Sequence, residues 1–315
     1  MKKYFFGLAV VLAAVSMVAC TAPRIDKQTR SYAEKGDLDL QLDIYRETGA
    51  GTQPCLLFVF GGGFMGGERD AEQYLPFFEH MARAGYTVAA IDYRLGLKGI
   101  DPSAMDAEGF VRSLAGAINM AVEDLFDATA FLVGEAGQIG IDPERIVACG
   151  SSAGAITVLQ GAYERANRTA LAERLPEGFH YAGVVAFAGA IFDVTGTPVW
   201  KEKPCPIMMF HGDADATVPY KEITYGNIGF YGSHAIARQL SALQTPYSFY
   251  SVANAGHEYA VVPMNDFRAE IECFLDQLVW EHRPLMINTS VDEIGLPERK
   301  KDFLLEDYIR NNLTN

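Results

Sequence analysis

The residues able to do chemistry cluster in four short stretches. Gly150-Ser151-Ser152-Ala153-Gly154 fits G-x-S-x-G, which makes Ser152, not Ser151, the central serine. Such a serine needs a sharp strand-to-helix turn that leaves its Oγ exposed, with glycines on either side because side chains there would collide with the neighbouring strand and helix. The context matches: Ile146–Cys149 predicts a short strand, and small Ala153 and Ala155 open a helix. A purely structural turn uses the same letters, so it is the placement that points to a nucleophile.

Upstream, Phe60-Gly61-Gly62-Gly63-Phe64 follows an apolar strand. Glycines there let backbone N–H groups approach a developing oxyanion, helped by the N–H of the residue after the nucleophile, Ala153. A P-loop is excluded, because no Gly-Lys-Ser/Thr follows the glycines; Gly61, Gly63 and Gly66 keep a G-x-G-x-x-G spacing, but bulky Phe64-Met65 sits where a dinucleotide-binding turn would open its helix. Downstream, His211-Gly212-Asp213-Ala214-Asp215 and Ala255-Gly256-His257-Glu258 each follow a predicted strand. A catalytic imidazole needs a carboxylate to fix its tautomer and stabilise its cation. The chain offers serine, acid and histidine in the order Ser152, Asp215, His257. Asp213 is the second choice for the acid and Asp193 the third. His211 is expected to pack under the acid loop, and the remaining histidines (His80, His180, His234 and His282) have no partner motif.

The elements that must hold these groups alternate along the chain. Leu38, Leu40, Leu42 and Ile44 have a period of two and predict a half-exposed strand. Cys55–Phe60 and Tyr86–Tyr93 are continuous apolar runs, as expected of strands buried on both faces. Further strands are predicted at 182–190, 207–210 and 247–252, with helices near 70–84, 114–133, 153–165, 233–243 and 266–280. This alternation predicts an α/β fold with a mostly parallel central sheet and helices on both faces. The candidate groups then fall at the carboxyl edge of one sheet, where open α/β folds place their sites. Insertions at 95–113, 192–203 and 220–232 are candidate pocket walls; Tyr220, Tyr225, Phe230 and Tyr231 in the last are read first as lid packing and second as a stacking surface.

From about Leu38 to Trp280 the chain resembles the α/β-hydrolase superfamily, in its esterase/lipase group with an HGGG-type oxyanion loop. Supporting matches are Asp92-Tyr93-Arg94-Leu95, Gly140-Ile141-Asp142-Pro143-Glu144-Arg145, and His211-Gly212-x-x-Asp215-x-x-Val218-Pro219. The resemblance implies an α/β-hydrolase fold and carboxylic ester hydrolysis by a Ser152, Asp215, His257 triad. It selects Asp215 over Asp213, places the oxyanion hole at Gly62, Gly63 and Ala153, and requires no cofactor or metal. The motif's histidine is Phe60 here, a departure in the loop that leaves the triad intact. Esters of small molecules or carbohydrates are the implied substrates. The alternatives are a serine peptidase of related fold and a non-catalytic binding lipoprotein on the same scaffold.

Composition bounds the rest. The 315 residues are 49% hydrophobic and carry a formal net charge of −14, as expected of a globular chain with no nucleic-acid partner. Lys2 and Lys3 precede an apolar run from Tyr4 to Ala19, short for a membrane span and suited to a signal peptide over 1–19. Met17-Val18-Ala19-Cys20 resembles a bacterial lipoprotein cleavage box, which implies an exported protein held to the membrane only through a lipid on Cys20. Residues 20–35 are expected to be a tether, 36–281 one α/β-hydrolase domain, and 282–315 a C-terminal tail of unassigned role. Cys55, Cys149, Cys205 and Cys273 allow three disulfide pairings, but the apolar stretches around Cys55, Cys149 and Cys273 favour buried free thiols.

Overall fold

The computed structural model describes residues 24–101 and 105–313; the expected signal segment and Cys20 lie outside them. The strands are β1 (Ile25–Lys35), β2 (Leu38–Glu47), β3 (Gln53–Val59), β4 (Thr87–Ile91), β5 (Ile141–Ser151), β6 (Gly183–Phe187), β7 (Ala190–Asp193), β8 (Ile207–Gly212), β9 (Glu222–Tyr225), β10 (Ile228–Gly232), β11 (Tyr247–Val252) and β12 (Met286–Val291). The helices are α1 (Leu75–Arg83), α2 (Ala107–Gly134), α3 (Ala136–Ile139), α4 (Ala153–Asn167), α5 (Ser233–Ala242), α6 (Pro263–Asp266), α7 (Arg268–Phe274, continued as a π-helix over Leu275–Trp280) and α8 (Leu305–Leu313).

Nine strands form one sheet in the order β1-β2-β4-β3-β5-β6-β8-β11-β12. The first two neighbour pairs are antiparallel and every later pair is parallel. The continuous apolar runs become its centre: every residue of β4, β6 and β8 is buried, as is Cys55–Val59 of β3. Such strands need cover on both faces, which is why crossover helices alternate with them. α4 packs on β3, β5 and β6, with α2 against it, and α1 lies on β2 and β4.

Several expectations are corrected. Residues 25–35 form edge strand β1 instead of a tether, and residues 286–291 of the supposed tail pair in parallel with β11. The expected strand over 182–190 stops at Phe187, where Ala188 takes φ +55° and turns the chain away. The chain then enters a separate antiparallel sheet, β7-β10-β9, built largely from the 220–232 insertion. Helix α2 starts at residue 107, seven residues before the expected 114, because Asp106 caps it by accepting the Gly109 N–H at 2.8 Å. All four described cysteines are free. Cys273, expected to be buried, is exposed, because α7 turns Ile271 and Phe274 inward instead.

Candidate active site

The nucleophile turn is fixed by backbone crowding. A Cβ on Gly150 would lie 2.3 Å from Gly154 O, and one on Gly154 would lie 2.0 Å from Val59 O. No side chain fits at either place, so β5 can pass directly into α4 only with glycine at both. Between them Ser152 takes φ +51° and ψ −117°, a strained conformation that costs about 1–3 kcal/mol. Its N–H is held by Phe187 O at 2.9 Å. Ser151 is buried and donates its hydroxyl to Ala260 O at 2.8 Å, so its hydroxyl is engaged by the backbone and not by His257.

Ser152, His257 and Asp215 come together. Ser152 Oγ is 2.8 Å from His257 Nε2, and His257 Nδ1 is 2.8 Å from Asp215 Oδ2. With Nδ1–H held by the carboxylate, Nε2 accepts the serine proton. The Asp215 side chain is fully buried whereas His257 keeps 27% exposure, so the imidazole faces the cleft. Burial pushes the Asp215 carboxyl up, but hydrogen bonds from His211 and His257 outweigh it and hold the group well below the usual carboxylate range. Asp215 Oδ1 also accepts the N–H groups of Thr217 and Val218 at 2.8 and 3.0 Å.

The other carboxylates face elsewhere. Asp213 accepts Asn254 N–H at 2.7 Å and pairs with Lys301 at 2.9 Å, while Asp193 takes the Tyr163 hydroxyl at 2.7 Å. His211 lies under the acid loop as expected, fully buried, with Nδ1 2.8 Å from Ser233 Oγ and Nε2 3.3 Å from both Val218 O and Asp215 Oδ2. A Cβ on Gly212 would lie 2.2 Å from Ala255 O, so the acid and histidine loops pack backbone to backbone.

The glycine loop runs beside the serine. Gly62 takes φ +133°, and a Cβ there would sit 2.1 Å from Gly66 O. Gly61, Gly62, Gly63, Ser152 and His257 line one open cavity, and Ala153 begins α4, where its N–H has no partner within the helix. Phe60, standing where the motif has histidine, is buried against Tyr93 with ring centroids 4.5 Å apart, and it fills the space left by Gly67. Two residues missed in the sequence hold this loop: Tyr93 donates its hydroxyl to Phe60 O, and Gly61 N–H donates to the Tyr74 hydroxyl oxygen, both at 3.1 Å. Tyr93 lies in the Asp92-Tyr93-Arg94-Leu95 match and Tyr74 in no motif, and only the folded loop shows the part either plays.

Tyr225 is exposed, while Phe230 and Tyr231 are buried; none of them, nor Tyr220, lines either of the two cavities walled by Ser152. Among the described residues no cluster of three or more His, Cys, Asp or Glu is placed to hold a metal ion, and no helix is long and apolar enough to cross a membrane.

Solved structures share this architecture. The apo form of Thermogutta terrifontis esterase 2 matches with a TM-score of 0.57 over 82% of this chain and 96% of that one, at 20% identity. Esterase B from Lactobacillus Rhamnosis matches with a TM-score of 0.58 over 82% and 87%, at 15% identity. The chain has the α/β-hydrolase fold. The BD-FAE family model matches residues 42–197, a span that contains Gly61–Gly63 and Ser152 but neither Asp215 nor His257. Gut esterase 1 of Caenorhabditis elegans is 31% identical over 138 residues, 44% of this chain and 23% of that protein. Fumonisin B1 esterase of Sphingopyxis macrogoltabida is 28% identical over 120 residues, 37% of this chain and 21% of that protein. The aligned part of this chain thus spans less than a quarter of the length of these curated relatives.

Proposed function

We propose that this protein is a serine hydrolase of carboxylic esters. The observation that carries the reading is the continuous Ser152–His257–Asp215 hydrogen-bond chain, with the strained serine facing the glycine loop. Ser152 Oγ attacks the ester carbonyl as its proton passes to His257 Nε2. The Gly62, Gly63 and Ala153 N–H groups stabilise the oxyanion, each donor contributing about 10²–10³ in rate. Collapse breaks the C–O bond, and His257 returns the proton to the leaving alcohol. Water then attacks the acyl-enzyme, gives a proton to His257, and releases the acid as Ser152 regains its hydrogen. Asp215 keeps Nε2 free to accept and stabilises the imidazolium.

The cavity beside His257 is open and in part polar, which suits bulky hydroxylated alcohols such as those of carbohydrate esters. The Lys2/Lys3 apolar run and Cys20 further support export and lipid anchoring, which incorporation of labelled palmitate, lost in Cys20→Ala, would test.

The catalytic reading is tested by hydrolysis of p-nitrophenyl acetate and butyrate beside Ser152→Ala. Turnover that disappears in the folded variant supports it. Turnover that survives assigns the chemistry to another group, and a folded wild-type protein that cleaves no ester favours the peptidase or binding alternative.

A further inference from the structure

Ser152 opens onto two cavities that differ in size and enclosure. One, of about 460 Å³, is the open groove walled by the glycine loop, Gln73, Tyr74, Thr217 and His257. The other is an apolar pocket of about 50 Å³ walled by Phe64, Leu97, Phe110, Leu114, Ile156 and Val218. His257 lines the first and not the second. An imidazole that reprotonates the leaving oxygen must lie on the alcohol side of the scissile bond. Under the ester-hydrolase reading, on which this inference rests, the alcohol therefore occupies the groove and the acyl chain enters the apolar pocket.

The pocket is short. At about 50 Å³ against the groove's 460 Å³, it suits short acyl tails, acetyl to butyryl, better than an octanoyl tail.

What ends the pocket is a thin wall. Phe110 and Leu114 lie one turn apart on α2 and so share a helix face. Both also line a second apolar cleft, of about 30 Å³, on their far side. That cleft is walled by Phe192 of β7, Ile223 of β9, Ile228 and Phe230 of β10, and Leu305 of α8. Phe110 and Leu114 are each only 5% exposed, so they separate two apolar spaces and do not cap one against water. We propose that the Phe110/Leu114 partition sets the acyl-chain length, and that the cleft beneath the β7-β10-β9 sheet accepts a longer chain once the partition is thinned. Removing a buried ring leaves a void, because the surroundings relax only partly. Here the void joins two spaces into one channel leading from Ser152.

The test is kcat/KM for p-nitrophenyl acetate, butyrate and octanoate with the full chain, Phe110→Ala, Phe110→Leu and Leu114→Ala, each checked for cooperative melting. The wild-type protein should favour acetate or butyrate over octanoate by at least ~10-fold, about the preference one or two misfitting methylenes produce. Phe110→Ala should raise the octanoate-to-butyrate ratio by ~10-fold or more, with Leu114→Ala and Phe110→Leu moving it less in the same direction. Phe110→Leu and Leu114→Ala keep the test open should Phe110→Ala fail to fold. A wild type that cleaves octanoate as well as butyrate overturns the proposal, as does an unchanged ratio in the folded variants. A folded wild type inactive on all three esters instead fails the underlying reading, and the proposal falls with it.

Discussion

The nucleophile turn and the acid loop both cap parallel strands at the same sheet edge, yet they are held by different physics. At Gly150–Gly154 position is enforced by contact: backbone oxygens stand within 2.3 Å of where a Cβ would be. At His211–Val218 it is enforced by polarity: one buried carboxylate gathers two imidazoles and two N–H groups. The first arrangement tolerates no added atom; the second is also closed at Gly212, where a Cβ would lie 2.2 Å from Ala255 O, but its acid is set by partners that can be lost without any change of volume. A change of charge without a change of volume should therefore affect the acid loop and spare the nucleophile turn.

The largest effect is expected from Gly154→Ala. Its methyl meets main chain and not a movable side chain, so destabilisation should exceed about 4 kcal/mol, read as a collapsed melting temperature or insoluble protein. A normal melt would show that the turn has slack. Asp215→Asn changes almost no volume and should leave a folded protein with kcat/KM lowered about 10⁴-fold on p-nitrophenyl butyrate. Losing only a few-fold would mean that the acid lies elsewhere.

The same carboxylate gives a pH signature. Its folded-state pKa lies below the unfolded value of about 3.9, so in that window the unfolded chain binds the extra proton. The stability from Asp215 is thus complete above about pH 4 and is lost as pH falls further towards the depressed folded value. Urea melts from pH 6 to pH 3 should show the gap between wild type and Asp215→Asn closing only below about pH 4. A gap independent of pH would deny the carboxylate its charged role.

Smaller effects sharpen the contrast. His211→Asn removes one partner of Asp215 without touching the cleft, and kcat should drop about 10-fold with KM unmoved. A KM change would place His211 in contact with substrate. Asp213→Asn, at a residue turned towards Asn254 and Lys301, should stay within about 3-fold of wild type, and a large loss there would reverse the choice of acid.

The same difference explains what the sequence disclosed. Steric necessity writes itself in glycines, so the turn and the Gly61–Gly63 loop were readable, and strand ends located His211, Asp215 and His257. The central strands were readable because burial on both faces leaves unbroken apolar runs. Strands β1 and β12 were not, because much of their surface stays in solvent and little apolar patterning marks them. The start of α2 was obscured because Asp106, read as part of a polar loop, is its cap and residues 107–113 are its first turns. The separation of β7 from β6 depends on one backbone angle at Ala188, invisible in composition. Tyr74 and Tyr93 support the loop through single hydrogen bonds across 13 and 33 residues, a spacing no motif encodes.

The most direct test of the central claim is covalent. A fluorophosphonate probe should phosphonylate the protein once, with fluoride leaving and the serine proton passing to His257. Peptide mass analysis should place the adduct on Ser152, with labelling slowed at least ~10²-fold in His257→Ala. An adduct on Ser151 or any other residue, or none on the folded protein, would contradict the assignment of Ser152 as the activated nucleophile.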